Sequence, residues 1–191
     1  MRRAVGVVVA VVLIGLLSSC SLLPAPFGQS RDPDIHAAET EAHRIAEAVK
    51  DQDATALKKV FSPRARENTT NLDAGVRYFL SVFPSGWTSW KGISPASETD
   101  TWGHKEATAV SATYKVSANG RKYNVFFFDL RTNDFHPDSV GIWALGAAPW
   151  TSDPDTASGA KKPFYVWGGQ FGIDETTRAP VGNPGVYMPR S

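Results

Sequence analysis

Three groups of residues have side chains that do chemistry, and their spacing decides what each can do. His36 and His43 lie seven apart, with Glu39 between them. On a helix that spacing puts two side chains on one face but about 10 Å apart along the axis. That is too far to share a metal ion whose bonds are near ~2 Å. A solvated helix face is the expectation. Asp129, Asp134, His136 and Asp138 crowd a second stretch. Oxygen-rich loops hold calcium, but this one lacks the loop glycine and closing glutamate such a site needs. Asp, Asn and Pro are ordinary turn formers, so a turn is expected and no metal is assigned. No Gly-x-Ser-x-Gly elbow, zinc-protease helix or phosphate-binding glycine loop occurs. Gly168-Gly169-Gln170-Phe171-Gly172 is glycine-rich, yet it neither follows a clear strand nor opens a helix. Asn68-Thr69-Thr70 matches a glycosylation sequon, a pattern short chains contain by chance. No catalytic residue and no cofactor is assigned. Asp129 and Tyr78 are the two side chains to name as base or proton donor if the domain were an enzyme.

The third group is Leu17-Ser18-Ser19-Cys20, which holds the only cysteine of the chain. It follows Arg2, Arg3 and an uncharged apolar run from Ala4 to Leu17. The run is about fourteen residues, whereas a membrane-spanning helix needs roughly twenty. A short apolar run with small residues after it is what signal peptidases cut. The segment resembles the lipobox of a bacterial lipoprotein precursor. Residues 1–19 are expected to be a signal peptide and Cys20 the lipid attachment point and first mature residue. The protein is then extracytoplasmic, lipid-anchored to the bacterial cell membrane. With one cysteine no internal disulfide can form, so stability must come from a packed core. Losing Arg2 and Arg3 leaves 18 Lys+Arg against 19 Asp+Glu, a mature formal charge of −1. No strong field remains to attract nucleic acid.

The elements that must position these side chains are helices first and strands later. Residues 20–33 carry prolines, Gly28 and polar residues and read as a lipidated tether. Asp34 or Asp32 caps a first helix in which Ile35, Ala38, Ala42, Ile45 and Val49 form one apolar stripe. Glu39, Glu41, His43, Arg44, Glu47 and Lys50 populate its other side. Asp53 caps a short helix over 54–61, and Ser62-Pro63 opens the next. Asn71 or Asp73 caps a further helix through Val82, stopped by Pro84-Ser85-Gly86. From Trp87 the period changes to two. Strands are expected over 87–93, 105–116, 122–130 and 139–147. Asn119-Gly120 is a strong hairpin signal because both residues accept positive φ. Val125-Phe126-Phe127-Phe128 is apolar on both faces, which predicts a central strand covered on both sides. The whole predicts an α+β domain over 34–147, with N-terminal helices packed on a curved antiparallel sheet. Residues 148–191 read as an irregular Gly/Pro-rich tail, partly docked through its aromatics.

Ile45-Ala46-Glu47-Ala48-Val49-Lys50-Asp51-Gln52-Asp53, followed by Leu57-Lys58-Lys59-Val60-Phe61-Ser62, resembles the opening of the DUF5104 family of uncharacterised bacterial lipoproteins. Tyr78-Phe79 with Gly86-x-x-x-Ser-Trp, and the 134–142 stretch Asp-Phe-His-Pro-Asp-Ser-Val-Gly-Ile, are similar to its later segments. The likeness covers roughly 40–147. It implies the cone-shaped fold of nuclear transport factor two, a cystatin-like sheet wrapping a long helix with a pocket between them. It carries no catalytic motif.

Trp87, Trp90, Trp102, Tyr114, Tyr123, Phe126, Phe128 and Trp143 lie in or beside the expected strands. Most are expected in the core. Trp87, Trp90, Tyr114, Tyr123, Phe126, Phe128 and Trp143 are the candidate lining of a pocket between sheet and helices. The functional expectation is a non-enzymatic binding or accessory module of the cell envelope. Its partner would be an envelope protein or a small apolar ligand. The alternative is an isomerase- or hydratase-type enzyme with a pocket carboxylate.

Overall fold

The computed structural model describes residues 33–150 and 171–188. Cys20, the signal segment and the tether lie outside the described residues, as does Gly168-Gly169-Gln170. Four helices come first: α1 (Pro33–Lys50), α2 (Ala54–Lys59), α3 (Pro63–Asn68) and α4 (Leu72–Val82). Asp53 caps α2 by accepting from the backbone N–H groups of Thr55 and Ala56, each at 2.9 Å. Ser62 caps α3 by accepting from Ala65 N at 3.1 Å, with Pro63 at the first helical position. Ala38, Ala42, Ile45, Ala48 and Val49 of α1 are buried. So is Glu41, which the helical pattern had assigned to the solvated side.

The strands follow: β1 (Ser89–Trp102), β2 (Lys105–Ala118), β3 (Arg121–Asn133) and β4 (Gly141–Pro149). Each pairs antiparallel with the next. At the β2–β3 turn, Asn119 has φ of 51° and Gly120 of 71°, the left-handed pair the hairpin signal requires. β1 runs well past the expected 87–93. Its later half, Ser-Pro-Ala-Ser-Glu-Thr-Asp, looks like a loop because β1 is an edge strand. An edge strand tolerates Pro95 and needs no alternation of apolar residues. Its pairing shifts register between Gly92 and Ser94.

Residues 171–188 correct the expectation of a purely antiparallel sheet and an irregular tail. They form β5 (Gly172–Ile173), β6 (Pro180–Val181) and β7 (Gly185–Tyr187). β7 adds to the sheet beside β4, in parallel, giving the order β1-β2-β3-β4-β7. A parallel neighbour needs a long crossover rather than a hairpin, and the chain between β4 and β7 is long enough to supply it. Residues 171–188 therefore act as a strap: Phe171 lies on the sheet face that carries Phe126 and Phe128, and β7 closes the β4 edge.

The sheet is covered on both sides. Val110, Ala112, Tyr114, Val125 and Phe127 pack with the buried side of the helices, where Phe61, Phe79 and Phe83 are fully buried. Phe126 and Phe128 turn to the opposite face and stack on Phe171 of the strap, with ring centroids 5.7 and 5.9 Å away. Alternation along β3 sends its successive phenylalanines to opposite layers. Among the described residues, no helix is long and apolar enough to cross a membrane.

Candidate functional site

The aromatic residues do not line one surface. On the helix side they form a continuous row. Phe83 meets Trp87 and Tyr123 edge-on, at 5.9 and 5.0 Å between centroids. Trp87 meets Trp90 at 6.4 Å, Trp90 meets Tyr114 at 5.3 Å, and Tyr114 stacks on Phe127 at 5.9 Å. His43 of α1 caps the row, edge-on to Trp90 at 4.6 Å. Trp87 and Trp90 are half-buried, whereas Tyr114 and Phe127 are buried. The row thus runs from the protein surface into the core. Burial pushes the Tyr114 hydroxyl up to about 12, with Glu39 adding to the effect. The Trp87 Nε1–H is buried with no hydrogen-bond partner among the described residues.

Phe126, Phe128 and Trp143 are absent from that row. The two phenylalanines belong to the strap side of the sheet, and Trp143 donates its Nε1–H to Gly182 O of the strap at 3.0 Å. Trp102 is exposed near the β1–β2 turn, with the Arg178 guanidinium 5.4 Å over its ring.

Two carboxylates are buried, one on β3 and one on α1. Asp129 is on β3 and is 1% exposed; Glu41 is on α1 and is 4% exposed. Asp129 Oδ2 accepts from Arg131 Nη1 at 2.9 Å. Glu41 Oε2 accepts from Arg44 Nη1 at 3.3 Å, while Glu41 Oε1 is buried and has no partner among the described residues. Desolvation raises both carboxyls above the usual range. The Asp129 charge pushes Glu41 further up, and the two arginines partly offset this. Both arginines reach solvent, with side-chain exposures of 67% for Arg44 and 36% for Arg131.

The sequence singled out Asp129 and missed Glu41. The legible signal was position: Glu41 sits three residues after Ala38 and four before Ile45, inside the apolar stripe. Tyr78 is far from this chemistry. It lies on the exposed side of α4, because Val76, Phe79 and Leu80 take the inward side.

The Asp134–Asp138 stretch is a turn held by its own polar groups. Asp134 Oδ2 accepts from Glu106 N at 2.9 Å, and Asn133 Oδ1 accepts from His136 N at 2.8 Å. His136 Nε2 donates to Thr177 O at 2.9 Å, which leaves Nδ1 to accept from Arg64 Nη1 at 3.2 Å. Those contacts tie α3, the turn and the strap together. Asp129 points elsewhere, so the four side chains do not converge. Among the described residues, no group of His, Cys, Asp and Glu is placed to hold a metal ion.

An α+β domain with N-terminal helices on a mixed sheet, an aromatic row and a buried acid pair is the class of protein in hand. The chain belongs to the DUF5104 family, a domain of unknown function, whose model matches residues 44–148. Among solved structures it is similar to a protein from Streptomyces avermitilis provisionally named a dehydratase of the NTF2-like family. That similarity has 10% sequence identity, a TM-score of 0.33, and covers 62% of this chain and 98% of the other. An overlap at that score transfers neither activity nor pocket to this chain. No curated protein matches it.

Proposed function

We propose that this protein is an extracytoplasmic lipoprotein, tethered through Cys20, whose domain is a non-enzymatic binding module of the bacterial cell envelope. The observation that supports binding is the aromatic row. It begins at two half-buried indoles, Trp87 and Trp90, whose rings are partly open to solvent. Flat, partly exposed aromatic faces suit a small apolar ligand or an apolar side chain of an envelope protein. A mature charge near zero gives no attraction to nucleic acid. Deeper in the layer, Phe61, Phe79, Phe83 and Phe127 are fully buried, so the row ends in packed core.

The alternative is an isomerase- or hydratase-type enzyme using Asp129 as a base. The raised carboxyl favours it. The Arg131 contact counts against it, because an ion-paired carboxylate is a weaker base.

Two experiments test the reading. Cys20→Ala should release the protein from membranes or leave it as precursor. Unchanged fractionation and mature mass in that variant would remove the tether. An apolar fluorophore such as anilinonaphthalene sulfonate should bind the folded wild type saturably and bind folded Trp90→Ala at least about tenfold more weakly. Equal binding to both would remove the aromatic row as the site.

A further inference from the structure

Trp102 is 69% exposed, more than any other large apolar side chain among the described residues. It is the last residue of β1, at the tip of the β1–β2 hairpin, where Gly103 turns with φ of +64° and the space beside it is open. An indole at such a tip forgoes the burial that drives tryptophan inward. It is nevertheless held in place. The Arg178 guanidinium lies 5.4 Å over its ring, and Arg178 is itself buried and ion-paired with Asp100 at 2.7 Å. Asn133 Nδ2 donates to Arg178 O at 2.9 Å, which fixes the same residue to the end of β3. The ring is thus presented to solvent on a firm mount rather than folded back on the sheet.

The course of α1 brings the N-terminal segment toward the same end of the sheet. Its last residue, Lys50, lies against Gly86. Just beyond, Gln52 Nε2 donates to Phe83 O at 2.9 Å, and Asn119 Nδ2 donates to Val82 O at 3.5 Å. α1 therefore ends beside the Asn119–Gly120 turn. His43, two turns earlier, is beside Trp90, at the Asn119 end of β1. α1 thus runs from the direction of Gly103 toward Asn119. Cys20 precedes Pro33 by thirteen residues, which span at most about 45 Å. A bilayer that holds Cys20 is within reach of the hairpin tip.

We propose that the β1–β2 hairpin tip docks on the membrane that carries Cys20, with the Trp102 indole seated at the lipid interface. Docking presupposes the tether proposed above. Indoles favour that interface because the ring is apolar while its N–H needs a polar partner. His104 and Lys105, both exposed, follow Trp102 in the turn and supply donors for lipid phosphate. The acids near the tip are engaged. Asp100 pairs with Arg178, Glu106 Oε1 accepts from Thr108 Oγ1 at 2.7 Å, and Asp134 Oδ2 accepts from Glu106 N at 2.9 Å. Twelve residues of β1 separate Trp102 from Trp90, roughly 40 Å of strand. A domain docked this way keeps the aromatic row off the bilayer and open to the envelope.

The test uses the full chain, extracted from bacterial membranes and reconstituted in phosphatidylglycerol–phosphatidylethanolamine vesicles. Brominated phosphatidylcholine is included or left out, since its bromines quench tryptophans that meet the acyl chains. With one of six tryptophans at the interface, bromine should remove about one sixth of the wild-type emission. Most of that loss should vanish in Trp102→Leu and in Trp102→Phe, which keeps a ring over Arg178. Trp90→Leu should retain it. Equal quenching of wild type and both Trp102 variants, or no quenching of vesicle-bound protein, overturns docking and leaves the tether standing. The mass of the reconstituted chain reads Cys20 separately. An unmodified Cys20 with Trp102-dependent quenching removes the lipid from the tether and keeps the docking. A chain that stays off the vesicles overturns both.

Discussion

Phe171→Ala tests whether the strap is a structural part of the domain. Phe171 is 8% exposed. Its ring stacks on Phe126 and Phe128 and meets Tyr187 edge-on at 5.5 Å. Truncating a buried phenylalanine costs about 3–5 kcal/mol, and aromatic pairs at these separations add about 0.5–1.5 kcal/mol each beyond area. Phe171 lies on the sheet's outer face and retains a little solvent contact, so the lower end, about 3 kcal/mol, is appropriate. The loss should fall on local opening of the strap. Other anchors hold it in place, among them Arg178 to Asp100, Asn133 to Arg178 O, Ile173 to Glu98, Thr177 to His136, Gly182 to Trp143, and the β4–β7 ladder. The β2–β3 core has none of its backbone hydrogen bonds removed. At about tenfold per 1.4 kcal/mol, strap amides at 173, 178 and 185–187 should exchange hydrogen on the order of 100-fold faster. Amides of Phe126–Phe128 should change far less. Hydrogen-exchange mass spectrometry reads both. Strap exchange within about threefold of wild type, in a folded variant, would refute the claim that Phe171 holds the strap.

Two further substitutions probe the frame around the site. Gly141 has φ of +119°, and an added Cβ would lie 3.0 Å from Ser62 N and 3.1 Å from Ser62 Cα, which is backbone and cannot swing away. Gly141→Ala should cost about 1–3 kcal/mol and lower Tm by several degrees in calorimetry; a shift under about 1 °C would show that the site relaxes freely. Asp53→Ala removes the Oδ1 that accepts both cap hydrogen bonds of α2 and should cost about 1 kcal/mol in denaturant unfolding, with Asp53→Asn recovering most of it; equal losses in the two would assign the effect to charge rather than capping.

How much of this was legible in the sequence depended on whether neighbours in the chain carry the signal. Local chemistry was readable. Asp53, Ser62-Pro63 and Asn119-Gly120 act within four residues of themselves, and each stands where its cap or turn requires. The double-sided burial of β3 was readable from Val125-Phe126-Phe127-Phe128, because no exposed strand carries such a run. What covers its second side was not readable, since Phe171 is more than forty residues further on and its neighbours, Gly172 and a glycine-rich run, read as loop. β7 was hidden for the same reason: three residues in parallel pairing carry no periodicity. The acid pair shows the limit from the other side. Asp129 stood out between Phe128 and Leu130, while Glu41 looked like one more charge on an amphipathic helix. Its burial follows from the packing of α1 on the sheet, which encloses the position between Ala38 and Ile45. A helix wheel drawn for α1 alone counts a charge as solvated by default. Only the packing of α1 on the sheet reveals that this one is enclosed.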